Sequence, residues 1–378
     1  MMAGRRVYLD HHATTPVDPR VANVVMAAMV TDFGNANSVD HCFGDAARNL
    51  VSLAAQRVAS LVDADPEGVF FTSGSTEAIG RAVDDVMWRT RGRKPRIAVS
   101  RAEHHAVMHA VQRAVTITDG EIHWIDVDQC ARLDTTQLDQ VLRTGIDLVC
   151  VMAANNEVGT IYPIPECAAK AHAAGAAILV DGTQAAGRFP LSVRTERIDY
   201  LVLSAHKMYG PKGVGALLTD TPPGSNEPWQ RGTPNVPGIA GFGEACRLRQ
   251  TEMAADETRI RDLRDRLQLV LQAEIPDLVV NGDQRNRLGG NLHISIPGVP
   301  NDAVISRLRN AVAISTGAAC VSGTQAPSHV LQAMGLPDVL QEGALRIGIG
   351  KFNTEDEIHW AAEQLVASIT LVRDALQI

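Results

Sequence analysis

The chain has 378 residues, 45% of them hydrophobic and 21% charged, an ordinary globular composition. Its length suggests two domains, or one large α/β unit with an appended part. The net charge of −8 offers no basic field for nucleic acid or an anionic membrane, and no apolar stretch reaches membrane-spanning length.

Val7-Tyr8-Leu9 reads as a short strand, followed by a polar loop to Pro16. Asp10-His11-His12 interrupts the apolar run after Arg5 and Arg6, so no signal peptide is expected and a reducing, cytoplasmic setting is. Helical spacing runs over 18–29 and 40–61. Val69-Phe70-Phe71-Thr72 is a strand that enters Ser73-Gly74-Ser75-Thr76-Glu77 and then a helix. Free N–H groups and the helix dipole make such a turn a ready phosphate site.

Further strands are expected at 96–99, 122–125, 148–152, 178–180, 200–203 and 214–218, with helical segments between most of them. That alternation predicts an α/β fold with a mostly parallel sheet covered on both faces. Asp181 follows the apolar run Ala177 to Val180, where a carboxylate needs a partner. It either caps the next segment or holds the protonated ring nitrogen of a cofactor, with Gln184 near enough in sequence to bond a ring hydroxyl. Lys207 leaves the apolar run Tyr200-Leu201-Val202-Leu203 through Ser204-Ala205-His206. It is either a surface lysine in a Gly/Pro turn or a lysine of lowered pKa that forms a Schiff base. Ser204 and His206 can bond a phosphate. Aldehyde and phosphate on one molecule suggest pyridoxal phosphate (PLP). Asp181 and Lys207 would emerge on one edge of the sheet.

Residues 219–228 form a polar loop, 237–273 one long charge-rich helix or a broken pair, and 278–378 a smaller α+β part ending in a helix over 355–376. Six cysteines include no C-x-x-C pair or zinc spacing. No metal is expected, since adjacent histidines such as His11-His12 or His104-His105 rarely share one ion. Cys150 reads as buried, and Cys167 and Cys246 lie in alanine-rich helical patterns. Cys320 sits among small residues from Ser315 to Gly323, the setting of a reactive thiol.

Taken in order, the blocks resemble the cysteine desulfurases. These blocks are Leu9 to Pro16, Phe33-Gly34-Asn35, Thr72 to Glu77, Glu103-His104-His105-Ala106-Val107, Asn155 to Gly159, Val180 to Gln184, Ser204 to Gly213, Gly232 to Pro237 and the Cys320 loop with Leu345-Arg346. The family consists of PLP enzymes of fold type I within the class V aminotransferases, and the Cys320 loop is similar to the longer loop of its group I members. The resemblance implies a seven-stranded, mostly parallel sheet in a large domain, 15–255, and a small α+β domain from 1–14 and 256–378 that carries the cysteine loop. It implies that Lys207 holds the cofactor, Asp181 its ring nitrogen, Gln184 its ring oxygen, and Ser75, Thr76, Ser204 and His206 its phosphate. His104 would stack on the ring and help move protons, Asn156 lie beside it, Arg346 clamp the substrate carboxylate, and Thr233 reach the phosphate of the other subunit of a homodimer. L-cysteine would become L-alanine, with sulfur held as a persulfide on Cys320 and passed to an acceptor protein for iron–sulfur assembly or thiolation. The alternatives are a related PLP lyase or aminotransferase, such as selenocysteine lyase, or a sulfur-transfer subunit weakly active without its partner. Three departures stand out: Ala78-Ile79-Gly80 where the family has an asparagine, a shortened segment between Leu218 and Gly232, and Gln230 in place of an arginine.

Overall fold

The apolar runs become strands of two sheets and a short ladder in the computed structural model, which describes residues 5–219, 232–316 and 327–377. In chain order the strands are β1 (Val7–Tyr8), β2 (Val69–Thr72), β3 (Arg96–Ser100), β4 (Glu121–Ile125), β5 (Leu148–Met152), β6 (Ala177–Asp181), β7 (Tyr200–Ser204) and β8 (Gly215–Leu218). They continue with β9 (Val279–Val280), β10 (Asn291–Ser295), β11 (Val312–Ala313) and β12 (Ala344–Gly348).

The large sheet has seven strands in the order β2-β8-β7-β6-β5-β3-β4. Only β8 runs against its neighbours, so the sheet is mostly parallel, as expected. Residues in β5 and β7 are buried throughout, because helices cover both faces. Side chains alternate between the two halves of the large-sheet core, one on each face. Val149, Val151, Leu201 and Leu203 join one, and Leu148, Cys150, Tyr200 and Val202 join the other.

A second core gathers under the antiparallel sheet β12-β10-β9 and the parallel pair β1-β11. The helix Val236–Glu274 joins the two. Phe242 and Cys246 pack in the large-sheet core, while Ile260, Leu263, Leu267 and Leu271 pack in the second. The sequence left open whether this stretch breaks. It is one helix of 39 residues, since Pro237 sits in its first turn and no Gly or Pro follows Gly243. Among the described residues, no helix is long and apolar enough to cross a membrane.

Gly80 lies inside the helix Ser75–Arg89, and a Cβ there would meet nothing within 4 Å. Replacing it by alanine removes backbone freedom from the unfolded chain without a clash. Gly80→Ala is expected to raise stability by about 0.5–1 kcal/mol in denaturant unfolding of the cofactor-free chain.

Candidate active site

A cavity of about 450 Å³ opens at the C-terminal edge of the parallel strands, the usual ligand position in open α/β sheets. Each large-sheet strand that reaches it delivers a polar residue just beyond its end. Ser75 and Thr76 follow β2, His104 follows β3, Asn156 follows β5, Thr183 and Gln184 follow β6, and His206 and Lys207 follow β7. Asp181 closes β6 itself. The opposite wall comes from the second core: Asp10, His12 and Ala13 beyond β1, Ser315 beyond β11, and Arg346 on β12.

Lys207 Nζ donates to the carbonyls of His12 (2.7 Å) and Ala13 (2.8 Å). Burial pulls its pKa down to about 7, helped by the positive charges of Arg346 and Arg188 and opposed by Asp10 and Asp181. The side chain of Asp181 accepts one hydrogen bond from a described residue, from Thr183 N–H to Oδ1 at 3.0 Å. Gln184 Nε2 donates to His12 O at 3.0 Å.

The helix that begins at Ser75 has Gly74 as its N-cap and no capping side chain, so its first N–H groups are left for another acceptor. Gly215 lets this turn sit against β8. A Cβ there would lie 2.5 Å from Leu203 O and 2.8 Å from Gly74 Cα. His206 Nδ1 meets Thr14 Oγ1 at 3.1 Å, and burial together with Lys207 and Lys212 lowers its pKa to about 4. It is therefore a neutral hydrogen-bonding group at neutral pH. His104 caps the helix His105–Thr118. Its Nδ1 accepts from Ala106 N–H at 3.1 Å, which leaves its proton on Nε2.

Arg346 is buried. Its Nη2 donates to Asp10 Oδ1 (2.8 Å) and its Nη1 to Asn156 O (3.1 Å), while Nε has no partner among the described residues. Ser204 is the last residue of β7, paired with Gly215 and buried, and it is not on the cavity wall. Thr233 is exposed and lies outside the cavity. Cys320 and Gln230 lie outside the described residues.

The Aminotransferase class-V family profile matches residues 7–231 and 223–360. The chain is 38% identical to the cysteine desulfurase IscS of Anaeromyxobacter sp. (strain Fw109-5), over 97% of this chain and 93% of the relative. It is 33% identical to the human cysteine desulfurase, over 98% of this chain and 83% of that protein. The chain belongs to the cysteine desulfurase family. Among solved structures, a NifS-like protein superposes with a TM-score of 0.88 at 29% identity, covering 97% of this chain and all of that one.

For this cysteine desulfurase, sequence reasoning left Asp10, His12, Ser315 and Arg188 without a role. Asp10 carries the same signal that drew attention to Asp181, a polar residue directly after an apolar run. Arg188 donates from Nη1 to His12 Nδ1 at 2.7 Å, and from Nη2 to the carbonyls of His11 and Lys207, both at 3.3 Å. A guanidinium only donates, so Nδ1 of His12 accepts from Arg188, and the same nitrogen lies 3.3 Å from Gln184 Oε1. Arg188 thus braces the backbone on both sides of the Lys207 hydrogen bonds. Of the departures from the family pattern, Ala78 and Ile79 are core residues under the large sheet, and Gly80 faces open space.

Proposed function

We propose that this chain is a PLP-dependent cysteine desulfurase that converts L-cysteine to L-alanine and holds the sulfur as a persulfide on Cys320. The observation that carries the reading is one cavity holding Lys207 at a pKa of about 7, the buried carboxylate of Asp181 and an uncapped helix N-terminus at Ser75. Those three groups fit the aldehyde, ring nitrogen and phosphate of PLP. We assign Ser75, Thr76 and His206 to the phosphate, Gln184 to the ring oxygen and His104 to the ring face. Ser204 acts through the turn it begins, and Asn156 borders the ring and the substrate. When bound, PLP supplies an electron sink that weakens bonds at the substrate α-carbon.

The chain's own groups do the rest. Lys207, whose pKa burial lowers to about 7, takes and returns the α-proton from Nζ. Arg346 binds the α-carboxylate, and its buried, unpaired Nε is a donor suited to that oxygen pair. The sulfur moves from the substrate β-carbon to the Cys320 thiolate: one C–S bond breaks, one S–S bond forms, and a proton replaces sulfur on carbon. No external oxidant is needed. Mass spectrometry of the Cys320 peptide after L-cysteine is expected to show one added sulfur atom, absent in Lys207→Met. An unmodified Cys320 with alanine accumulating would overturn the persulfide role.

We assign the cysteine loop to a small domain of 1–14 and 256–378 beside a large domain of 15–255, and the sulfur to an acceptor protein for iron–sulfur assembly or thiolation in a reducing cytoplasm. A homodimer is supported by an exposed apolar surface: Met26, Met29, Val30, Phe33, Val39 and Phe43 are each more than half exposed. Phe33 and Phe43 stack there at 5.6 Å. Asn37 beside them donates to Gly232 O at 3.2 Å, which puts Thr233 next to this surface. Phe33→Glu is expected to raise the dimer Kd at least about 30-fold in sedimentation velocity, the loss of one anchoring aromatic.

A further inference from the structure

We propose that Asp10 is a resident carboxylate that holds Arg346 until the α-carboxylate of an amino-acid substrate takes its place. The proposal rests on the reading of Arg346 as the partner of the substrate carboxylate.

A guanidinium offers a carboxylate two parallel donors, and Nε with Nη2 make one such fork. In this chain Nη2 is taken by Asp10 Oδ1 at 2.8 Å, and Nε is buried without a partner among the described residues. The remaining nitrogen, Nη1, is committed to Asn156 O. Asp10 therefore fills half of a fork, through one oxygen. A substrate carboxylate seated on Nε and Nη2 competes with Asp10 for Nη2.

Two features keep Asp10 beside Arg346 and let it leave. Its backbone bridges to Gly348 on β12, two residues beyond Arg346, so the carboxylate is delivered by the fold. Its Oδ1 also accepts from Ser315 Oγ at 3.2 Å, a bond that survives the exchange. The Asp10 side chain is 19% exposed against 8% for Arg346, so water can reach the released carboxylate more easily than the guanidinium. Without a carboxylate at hand, Arg346 would be an uncompensated buried cation close to Lys207. Exchanging one carboxylate for another keeps Arg346 paired throughout. An amine with no carboxylate leaves the Arg346–Asp10 pair in place and gains nothing from Arg346.

L-alanine and ethylamine differ only by the carboxylate, and both bind through the amine. The ratio of their dissociation constants isolates the Arg346 end of the cavity. It can be measured by absorbance titration of the cofactor-loaded enzyme in the parent, Asp10→Asn, Asp10→Ser and Arg346→Gln. Removing the internal competitor is expected to raise the preference for L-alanine about tenfold or more in both Asp10 variants, and to lower KM for L-cysteine more than it changes kcat. Arg346→Gln is expected to collapse the preference. If Arg346→Gln collapses it and both Asp10 variants leave it unchanged or lowered, Asp10 is only a buttress and the proposal falls alone. If Arg346→Gln keeps the parent preference, the carboxylate reading of Arg346 falls and the proposal with it.

Discussion

Lys207→Met is expected to lower alanine production from L-cysteine at least about ten-thousandfold while making the cofactor-free chain more stable. The two effects have one origin. Burial and the neighbouring cations Arg346 and Arg188 hold the Lys207 ammonium at a pKa of about 7, against 10.5 in the unfolded chain. The folded chain therefore binds fewer protons than the unfolded chain between these values, so stability rises with pH through that window. Below pH 7 the penalty is complete, and above about 10.5 it is gone. Methionine keeps most of the stem and removes the charge. Some of the gain is returned because the carbonyls of His12 and Ala13 lose their donor. We expect Lys207→Met to be about 2–4 kcal/mol more stable than the parent at pH 7 and to lose that advantage by pH 10.5, in denaturant unfolding. Equal stability at both pH values would mean that Lys207 is not held neutral by the fold. The lysine would then owe its reactivity to the cofactor alone.

The large sheet was legible because each of its central strands is a short apolar run bounded by turn residues. The site was legible where a polar residue breaks such a run at its C-terminal end: Asp181 as the last residue of β6, and His206 and Lys207 after β7. What the sequence hid is mostly contributed from far away. His12 and Lys207 are 195 positions apart, Asp10 and Arg346 are 336 apart, and nothing in local periodicity pairs them. The packing of the N-terminal segment beside β12 brings them together. Gly348 permits that approach, since a Cβ there would lie 2.8 Å from His12 Cδ2 and 2.9 Å from His11 N. Ser204 shows the converse. Its place in the Ser-x-His-Lys string suggests a ligand contact, yet the pleat of β7 turns it into the buried interior beside Gly215. Strand alternation sends neighbours to opposite faces, and a motif read as a string does not carry that information.

Asp181→Asn and Glu103→Gln are expected to separate two buried acids that the chain places near each other. Glu103 is wholly buried, accepts from Met152 N–H through Oε1 at 2.5 Å, and has no partner for Oε2 among the described residues. Burial first, and then the charge of Asp181, push its pKa well above the ordinary carboxylate value. That shift favours the protonated form of Glu103, in keeping with the proposed assignment of Asp181 to the ring nitrogen. Asparagine at 181 keeps the size but cannot balance a protonated ring, so alanine production is expected to fall at least about 100-fold. Glutamine at 103 imitates the protonated acid, so activity is expected to change less than about tenfold. Stability gives an independent check. A carboxyl group whose folded pKa is raised binds more protons in the folded chain, so the parent loses stability as pH climbs from about 4.5 toward the folded value. Glu103→Gln lacks that loss, and its advantage over the parent is expected to widen across the same range. If Glu103→Gln instead cost as much activity as Asp181→Asn, the two acids would be sharing one charge, and Asp181 could not be assigned the ring nitrogen by itself.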